Sequence, residues 1–328
     1  MHDRVRLMAA LLELPGVGPV TALAAMSRMR QQTLDPDALA DELKAIGKGM
    51  KRPIKATVSG LELAFSAADR VMNRCRTLGI EIAIADSGIF WKDVWSIPKP
   101  PAMLFFKGKS TAALAQRAIA VVGTRQPSDF GVGCAHRIAS EAVKRGLTVV
   151  SGLAVGCDRQ GHIGALEANG LTIAVLAHGL DSVYPATNQS LADSIIENGG
   201  MLVSEYAPGI VIRSNQLVAR DRLQSALSRG LVVIETDVKG GTMHTVHCAK
   251  EQKRLIACVN HGERFRDLPK SRGNQALIAD GSAVPIGDRA QLLAYFDLIE
   301  ERNQLSSPAR STPNGIGKQG LLFDEPGE

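Results

Sequence analysis

The sequence predicts an α/β protein, a mainly parallel sheet with helices on both faces, preceded by a small helical segment. Three observations carry that expectation. From Ala118 onward, short apolar runs alternate with amphipathic stretches of helix length, the pattern of βαβ units. The runs are continuously apolar rather than alternating, as strands covered on both faces are. Residues 1–80 carry helical periodicity and no comparable run.

The elements follow in order. RVRLMAALLEL (4–14) places its apolar residues at a period of 3.6 and reads as a helix. Leu14-Pro15-Gly16-Val17-Gly18-Pro19 breaks it, and VTALAAMSRM (20–29) starts a second. A helix pair joined by a G-x-G turn reads two ways. It is a helix-hairpin-helix whose turn points backbone N–H groups at a phosphate, one donor short because of Pro19, or a plain hairpin that needs tight packing. IEIAIADSGIF (80–90) is β-like, Ile97-Pro98-Lys99-Pro100-Pro101 is a stiff break, and residues 103–108 form a short strand. Strands are then expected at 119–123, 147–152, 171–177, 201–206, 231–236 and 255–260, with helices at 131–146, 158–169, 190–200, 219–230 and 242–252 between them. Residues 299–328 are polar and read as a tail, so the chain divides into a helical unit (1–80), the sheet (81–298) and the tail.

Composition narrows the function. With 328 residues the length suits about two domains. Hydrophobic residues at 45% and charged residues at 22% exclude a disordered chain, a collagen-like fibre and a disulfide scaffold. Aromatics at 4% argue against base stacking as the main way of holding a nucleic acid, and leave phosphate contacts open. The net charge of +5 is concentrated early, with 16 basic and 11 acidic side chains in residues 1–110 and 14 against 12 in residues 111–260. The five cysteines (75, 134, 157, 248, 258) include no C-x-x-C pair and read as reduced thiols of a cytoplasmic protein. The first apolar run is broken by Glu13 and Pro15, which fits neither a signal peptide nor a membrane span.

In an open parallel sheet ligands bind at the carboxyl ends of the strands. Those ends carry Gly123-Thr124-Arg125 followed by Ser128, Gly131 and Gly133, then Ser151-Gly152 leading to Asp158, then Gly179, then Ser204-Glu205, then Glu235 followed by Gly240-Gly241-Thr242. Small residues let a backbone approach a ligand, helix N-termini offer free N–H groups, hydroxyls add donors, and Arg125 adds a forked charge, so the set reads as an anion site. A dehydrogenase is a poor fit, because GTRQPSDFGVG is not G-x-G-x-x-G and no acidic residue closes the second strand. Asp158 and His162 share a helix face and read as a structural pair, while Glu205, Glu235 and Arg220 are expected to cluster in the cleft. His244 and His247 lack a further ligand nearby in sequence, so no metal is expected.

In order and spacing these residues resemble the DprA/Smf family, the DNA-processing protein A group. Val121 to Arg125 with Ser128 and Gly131 is similar to its opening motif, and SGLAVGCD (151–158) followed by His162-Ile163-Gly164-Ala165-Leu166 to its second. Gly179-Leu180-Asp181 with Tyr184-Pro185, Ser204-Glu205, and Gly273-Asn274 with Leu277-Ile278 and Gly281 also match, and residues 97–108 look like its entry strand. The resemblance spans about residues 86–285, and the glycine-turn N-terminus is similar to the family's helical, SAM-like first domain. It implies an extended Rossmann-like fold and a homodimer that is not an enzyme and uses no cofactor. Such a protein binds single-stranded DNA in a positive pocket and helps load RecA in natural transformation. Carried over by residue, Gly123, Thr124, Arg125, Ser151 and Gly152 cradle a phosphate and Gly240, Gly241 and Thr242 flank it. Ser128, Gly131, Arg220 and Arg222 join the DNA-facing set, and Asp158, His162, Glu205 and Glu235 shape the pocket.

Two departures stand out. The family's usual R-N-R is Arg220-Asp221-Arg222, which sets a negative charge beside arginines expected to face phosphate, and its S-G-S/T is Gly240-Gly241-Thr242. Residues 299–328 are too short for the winged helix that ends many members. They do hold Gln319-Gly320-Leu321-Leu322-Phe323, which resembles the Q-x-x-L-F peptide that docks on the bacterial sliding clamp through Gln319, Leu322 and Phe323. Two alternatives use the same sheet. One is a LOG-type nucleotide phosphoribohydrolase, whose PGGxGTxxE is only partly matched at Gly240-Gly241-Thr242; the other is a nucleotide-sensing module of phage defence.

Overall fold

The computed structural model describes residues 2–306 apart from 31, 89, 91 and 110–116. Four helices come first: α1 (His2–Glu13), α2 (Pro19–Met26), α3 (Pro36–Gly47) and α4 (Val58–Thr77). Their starts follow from local chemistry. Asp35 caps α3 by accepting from Ala38 N at 3.1 Å, with Pro36 as the first helical residue, and Thr57 caps α4 by accepting from Gly60 N at 3.1 Å. A fork from Arg6 to Asp69, both bonds 2.7 Å, ties α1 to α4. The turn between α1 and α2 lies open, and a Cβ at Gly16 or Gly18 would meet nothing within 4 Å, which removes the tight-packing reason for its glycines.

Among the described residues the rest forms one sheet of nine strands: β1 (Glu81–Ala83), β2 (Leu104–Gly108), β3 (Ala118–Val122), β4 (Thr148–Ser151), β5 (Thr172–Leu176), β6 (Met201–Ser204), β7 (Gly230–Val233), β8 (Leu255–Val259) and β9 (Val284–Ile286). Their spatial order is β1-β2-β6-β5-β4-β3-β7-β8-β9, with β2 antiparallel to both its neighbours and the pairs from β6 to β9 parallel. The helices are α5 (Lys92–Trp95), α6 (Asp129–Lys144), α7 (Cys157–Glu167), α8 (Gln189–Glu197), α9 (Ser214–Ala226), α10 (Thr242–Glu251), α11 (Arg272–Ala279) and α12 (Arg289–Ser306).

Alternate strand residues feed opposite cores. Ile119, Val121, Val149 and Val232 pack with α6, α7 and α12, whereas Ala118, Ala120, Val122 and Val150 pack with α9, α10 and α11. Ala174, Leu176 and Leu202 share a third cluster with α8 and the four N-terminal helices, so the helical segment and the sheet are packed over one continuous core. The polar composition of residues 299–328 suggested a tail from residue 299, but α12 runs on to Ser306 with Ile299 buried, and Tyr295 O–H donates to Leu231 O and Leu255 O. No helix among the described residues is long and apolar enough to cross a membrane.

Candidate nucleic-acid interface

The chain builds β3, β4, β5 and β6 outward in one direction, then returns to place β7 on the other side of β3. The loops after β3 and β7 therefore diverge, and a crevice opens between them, as at the switch point of any doubly wound sheet. A cleft of about 430 Å³ lies there, walled by Gly123-Thr124-Arg125, by Asp158, by Arg220, Asp221 and Gln224 of α9, and by Gly240-Gly241-Thr242 at the start of α10.

The wall after β3 is held by backbone. Thr124 N donates to Glu235 O at 2.8 Å and Cys157 N donates to Thr124 O at 3.1 Å. A Cβ at Gly123 would come within 2.5 Å of Cys157 Sγ, so only glycine lets this loop close on α7. Arg125 then stands exposed at the mouth. Opposite it, α10 starts with no side chain capping its first turn. Met243 N and His244 N donate back to Gly240 O and Gly241 O, at 3.0 and 3.1 Å, so the N–H groups of Gly241 and Thr242 and the positive dipole end are what this start offers the cleft.

Arg220 forms the floor. Its side chain is 6% exposed, and its Nη1 donates to Gly152 O at 2.8 Å and to Val175 O at 2.6 Å. Its Nε lies 3.3 Å from Asp221 Oδ1 but makes no hydrogen bond, which leaves one buried donor of a guanidinium unspent beside the cleft. Burial pushes the carboxyls of Asp158 and Asp221 upward, that of Asp221 to about 7, against the pull of Arg220.

Several expected phosphate donors are spent on the scaffold instead. Ser128 caps α6, accepting from Gly131 N at 3.1 Å, and gives its N–H and O–H to the Glu235 carboxylate. Gly131 lies against that carboxylate, where a Cβ would come within 2.5 Å of Glu235 Cδ. Ser151 donates to Val121 O at 2.7 Å, and Gly152 N donates to Asp158 Oδ2 at 3.1 Å. Ser128, Gly131, Ser151 and Gly152 thus shape the cleft from beneath and do not line it. Arg222 turns away, because residues two apart on a helix do not share a face. It forks onto Glu205, both bonds 2.7 Å, and donates to Lys99 O at 2.8 Å.

The expected Glu205–Glu235–Arg220 cluster does not form. Glu205 takes Arg222, Glu235 takes Ser128 with His261 Nε2 at 3.4 Å, and the carboxylates beside Arg220 are Asp158 and Asp221. His162 does not meet Asp158; it is wholly buried with Nδ1 2.7 Å from Thr172 Oγ1, and burial, then the charge of Arg220, lowers its pKa to about 3. Sequence reasoning set Asp221 beside the expected arginines, but left Gln224, His244 and Lys270 out of the lining. Lys270 follows the carboxyl end of β8, so the strand-end rule applied one strand further would have found it. Gln319, Leu322 and Phe323 lie outside the described residues.

Known proteins agree with the motifs. The family model described as DNA recombination-mediator protein A matches residues 82–297. A DNA processing protein DprA of Bacillus subtilis is 35% identical over 245 residues, which are 74% of this chain and 79% of that one. A Protein Smf of Synechocystis is 36% identical over 209 residues, 63% of this chain, and the match spans only 51% of the relative's length. The crystal structure of DNA processing protein A from Streptococcus pneumoniae superposes with a TM-score of 0.71 at 26% identity, covering 90% of this chain and 97% of that one. A Helicobacter pylori DNA processing protein A, whose structure concerns its single-stranded DNA binding mode, superposes with a TM-score of 0.57 at 26% identity, covering 64% of this chain and 93% of that one. The Rossmann-like fold expected from the motifs is the fold these structures share.

Proposed function

Because this chain belongs to the DNA recombination-mediator protein A family, we propose that it binds single-stranded DNA through its phosphates in the switch-point cleft, and that it acts by binding rather than by catalysis. The observation that carries the reading is the convergence of three anion-directed features: Arg125 at the mouth, the uncapped start of α10, and the unspent Nε of buried Arg220. A phosphate seated between them receives backbone N–H donors, a dipole end and two guanidinium charges in a partly desolvated crevice, where each is worth more than in water. The direct contact set is Gly123, Thr124, Arg125, Arg220, Gly240, Gly241 and Thr242. Scarce aromatics fit a site that grips the backbone and leaves the bases free.

The finer role follows the family: a cytoplasmic homodimer that helps load RecA on single strands in natural transformation or recombination, with 1–80 as a helical unit and the sheet that follows, α12 included, as the binding unit. The tail's Gln319, Leu322 and Phe323 would dock on a sliding clamp, and undiminished clamp binding after deletion of 319–323 would remove that part.

The test is fluorescence anisotropy of labelled poly-dT at two salt concentrations, wild type against Arg125→Ala. Affinity falls with salt, and the variant's log–log slope is shallower by about 0.7 for each phosphate that is no longer neutralised. Salt-insensitive binding, or none, overturns the reading.

A further inference from the structure

The charges lining the cleft cancel. Arg125, Arg220 and Lys270 stand against Asp158, Asp221 and Asp237. With every group ionised there is no surplus to hold a polyanion, although the cleft is otherwise built for one. The three carboxyls are not equivalent. Asp237 is committed to Arg272 Nη2 at 3.0 Å and to Val238 N at 2.8 Å. Asp158 is buried, with 6% exposed, and accepts from Gly152 N. Asp221 lines the cleft with 13% of its side chain exposed, approached by the unaligned Arg220 Nε and by the Gln224 amide nitrogen, each at 3.3 Å from Oδ1.

We propose that Asp221 is a ligand-contacting residue that takes up a proton when a phosphate binds, its neutral carboxyl donating O–H to a phosphate oxygen that its ionised form would repel. The inference rests on the strand-binding reading above and adds a proton to it. Two anions brought together in a crevice of low dielectric repel by several-fold more than in water, and protonating one turns repulsion into a hydrogen bond.

The surroundings make that proton available. On its own helix Asp221 neighbours Arg220, which favours the ionised form, with Arg222 directed away onto Glu205; Gln224, set with its oxygen toward Gly152 N, brings its amide nitrogen to 3.3 Å. From α7, Asp158 opposes ionisation; from the loop after β3, Arg125 favours it. From α10, His244 lines the same cleft and the Cys248 thiol feels Asp221, while Lys270 enters from the loop after β8. Burial outweighs these and sets the carboxyl to about 7, so the group changes state around neutrality. If only the neutral form admits the phosphate, affinity follows the neutral fraction, and Kd rises about tenfold between about pH 6 and about pH 8.

The test is anisotropy of labelled oligo-dT from about pH 6 to about pH 8 at fixed ionic strength, with wild type, Asp221→Asn, Asp221→Ser and His244→Gln. Pyrophosphate is titrated in parallel in two buffers of different ionisation heat. Wild type weakens about tenfold as the pH rises and takes up a proton on binding; both Asp221 variants hold their low-pH affinity throughout, and His244→Gln keeps the wild-type slope. A slope unchanged in both Asp221 variants, or one abolished in His244→Gln, overturns the proposal while leaving strand binding intact. Wild type that binds neither oligo-dT nor pyrophosphate at any pH overturns the strand-binding reading, and this one with it.

Discussion

Replacing Gly156 by alanine tests whether the cleft depends on backbone closing on backbone. Gly156 caps α7 with φ +82° and ψ −129°, a region that residues with a side chain enter at about 1–3 kcal/mol. Its Cβ would also stand 2.5 Å from Thr124 O and 2.7 Å from Arg125 C, and these are main-chain atoms that cannot rotate aside. Their loop is itself fixed, since Thr124 N donates to Glu235 O and Thr124 O accepts from Cys157 N. Relief must push that loop outward, adding about 1–3 kcal/mol of overpacking strain and moving Arg125 at the mouth. The total is about 2–6 kcal/mol, with weaker strand binding by the molecules that remain folded. Urea unfolding gives the first quantity and poly-dT anisotropy the second. The control is Gly16→Ala, where φ is +75° and nothing lies within 4 Å, so only about 1 kcal/mol of backbone strain is expected. A Gly156→Ala variant as stable as the control and equal to wild type in affinity would refute the reasoning.

Three further outcomes follow from the same geometry. Arg222→Ala strands the nearly buried Glu205 carboxylate and costs about 3–5 kcal/mol, yet leaves the salt slope of DNA binding unchanged; a shallower slope at full stability would put Arg222 on the strand after all. His162, held neutral by burial with its pKa lowered to about 3, contributes stability that is complete above the ordinary imidazole value and drains away as the pH falls. By about pH 4.5 roughly 2–3 kcal/mol is gone, so His162→Gln flattens the acid limb of a plot of urea midpoint against pH, and an unchanged limb counts against the assignment. Glu235→Ala frees the N–H and O–H of Ser128, and removal of that anchored cap costs about 2–4 kcal/mol. Hydrogen exchange accelerates first at the start of α6, and uniform acceleration across the sheet would refute a local role.

The alternation of runs after Ala118 located the parallel strands within one to three residues at each end, because a strand buried on both faces leaves little choice of composition. It missed β9, three residues with two exposed, and the helices α11 and α12, the second of which runs past residue 299 with Ile299 buried. The loops of the cleft were legible for the same reason as the strands, since strand order puts their carboxyl ends at one edge. Side-chain direction was not. Ser128 and Ser151 stand where donors to a ligand belong, but Glu235 and the carbonyl of Val121 take their protons. Arg220 and Arg222 look alike in sequence, and helical geometry sends one into the cleft and the other onto Glu205. Partner identity depends on pairings between residues far apart in sequence, such as Arg220 with Val175 O, which no local pattern encodes.

Net charge fails as a guide for a related reason. A surplus of +5 over 328 residues says nothing about a cleft whose own side chains sum to zero. What such a cleft can hold is decided by groups a charge count leaves out: peptide N–H donors at an uncapped helix start, one unspent guanidinium N–H, and the proton on one carboxyl. Backbone donors do not titrate, so they set a floor to the affinity at every pH. In the proposed mode of binding Asp221 sits above that floor, and its charge would decide whether the two guanidinium groups beside it act on the strand or are cancelled first. A site arranged this way gains affinity from a single proton without any movement of its walls, which is why substituting one carboxyl by its amide separates the two contributions.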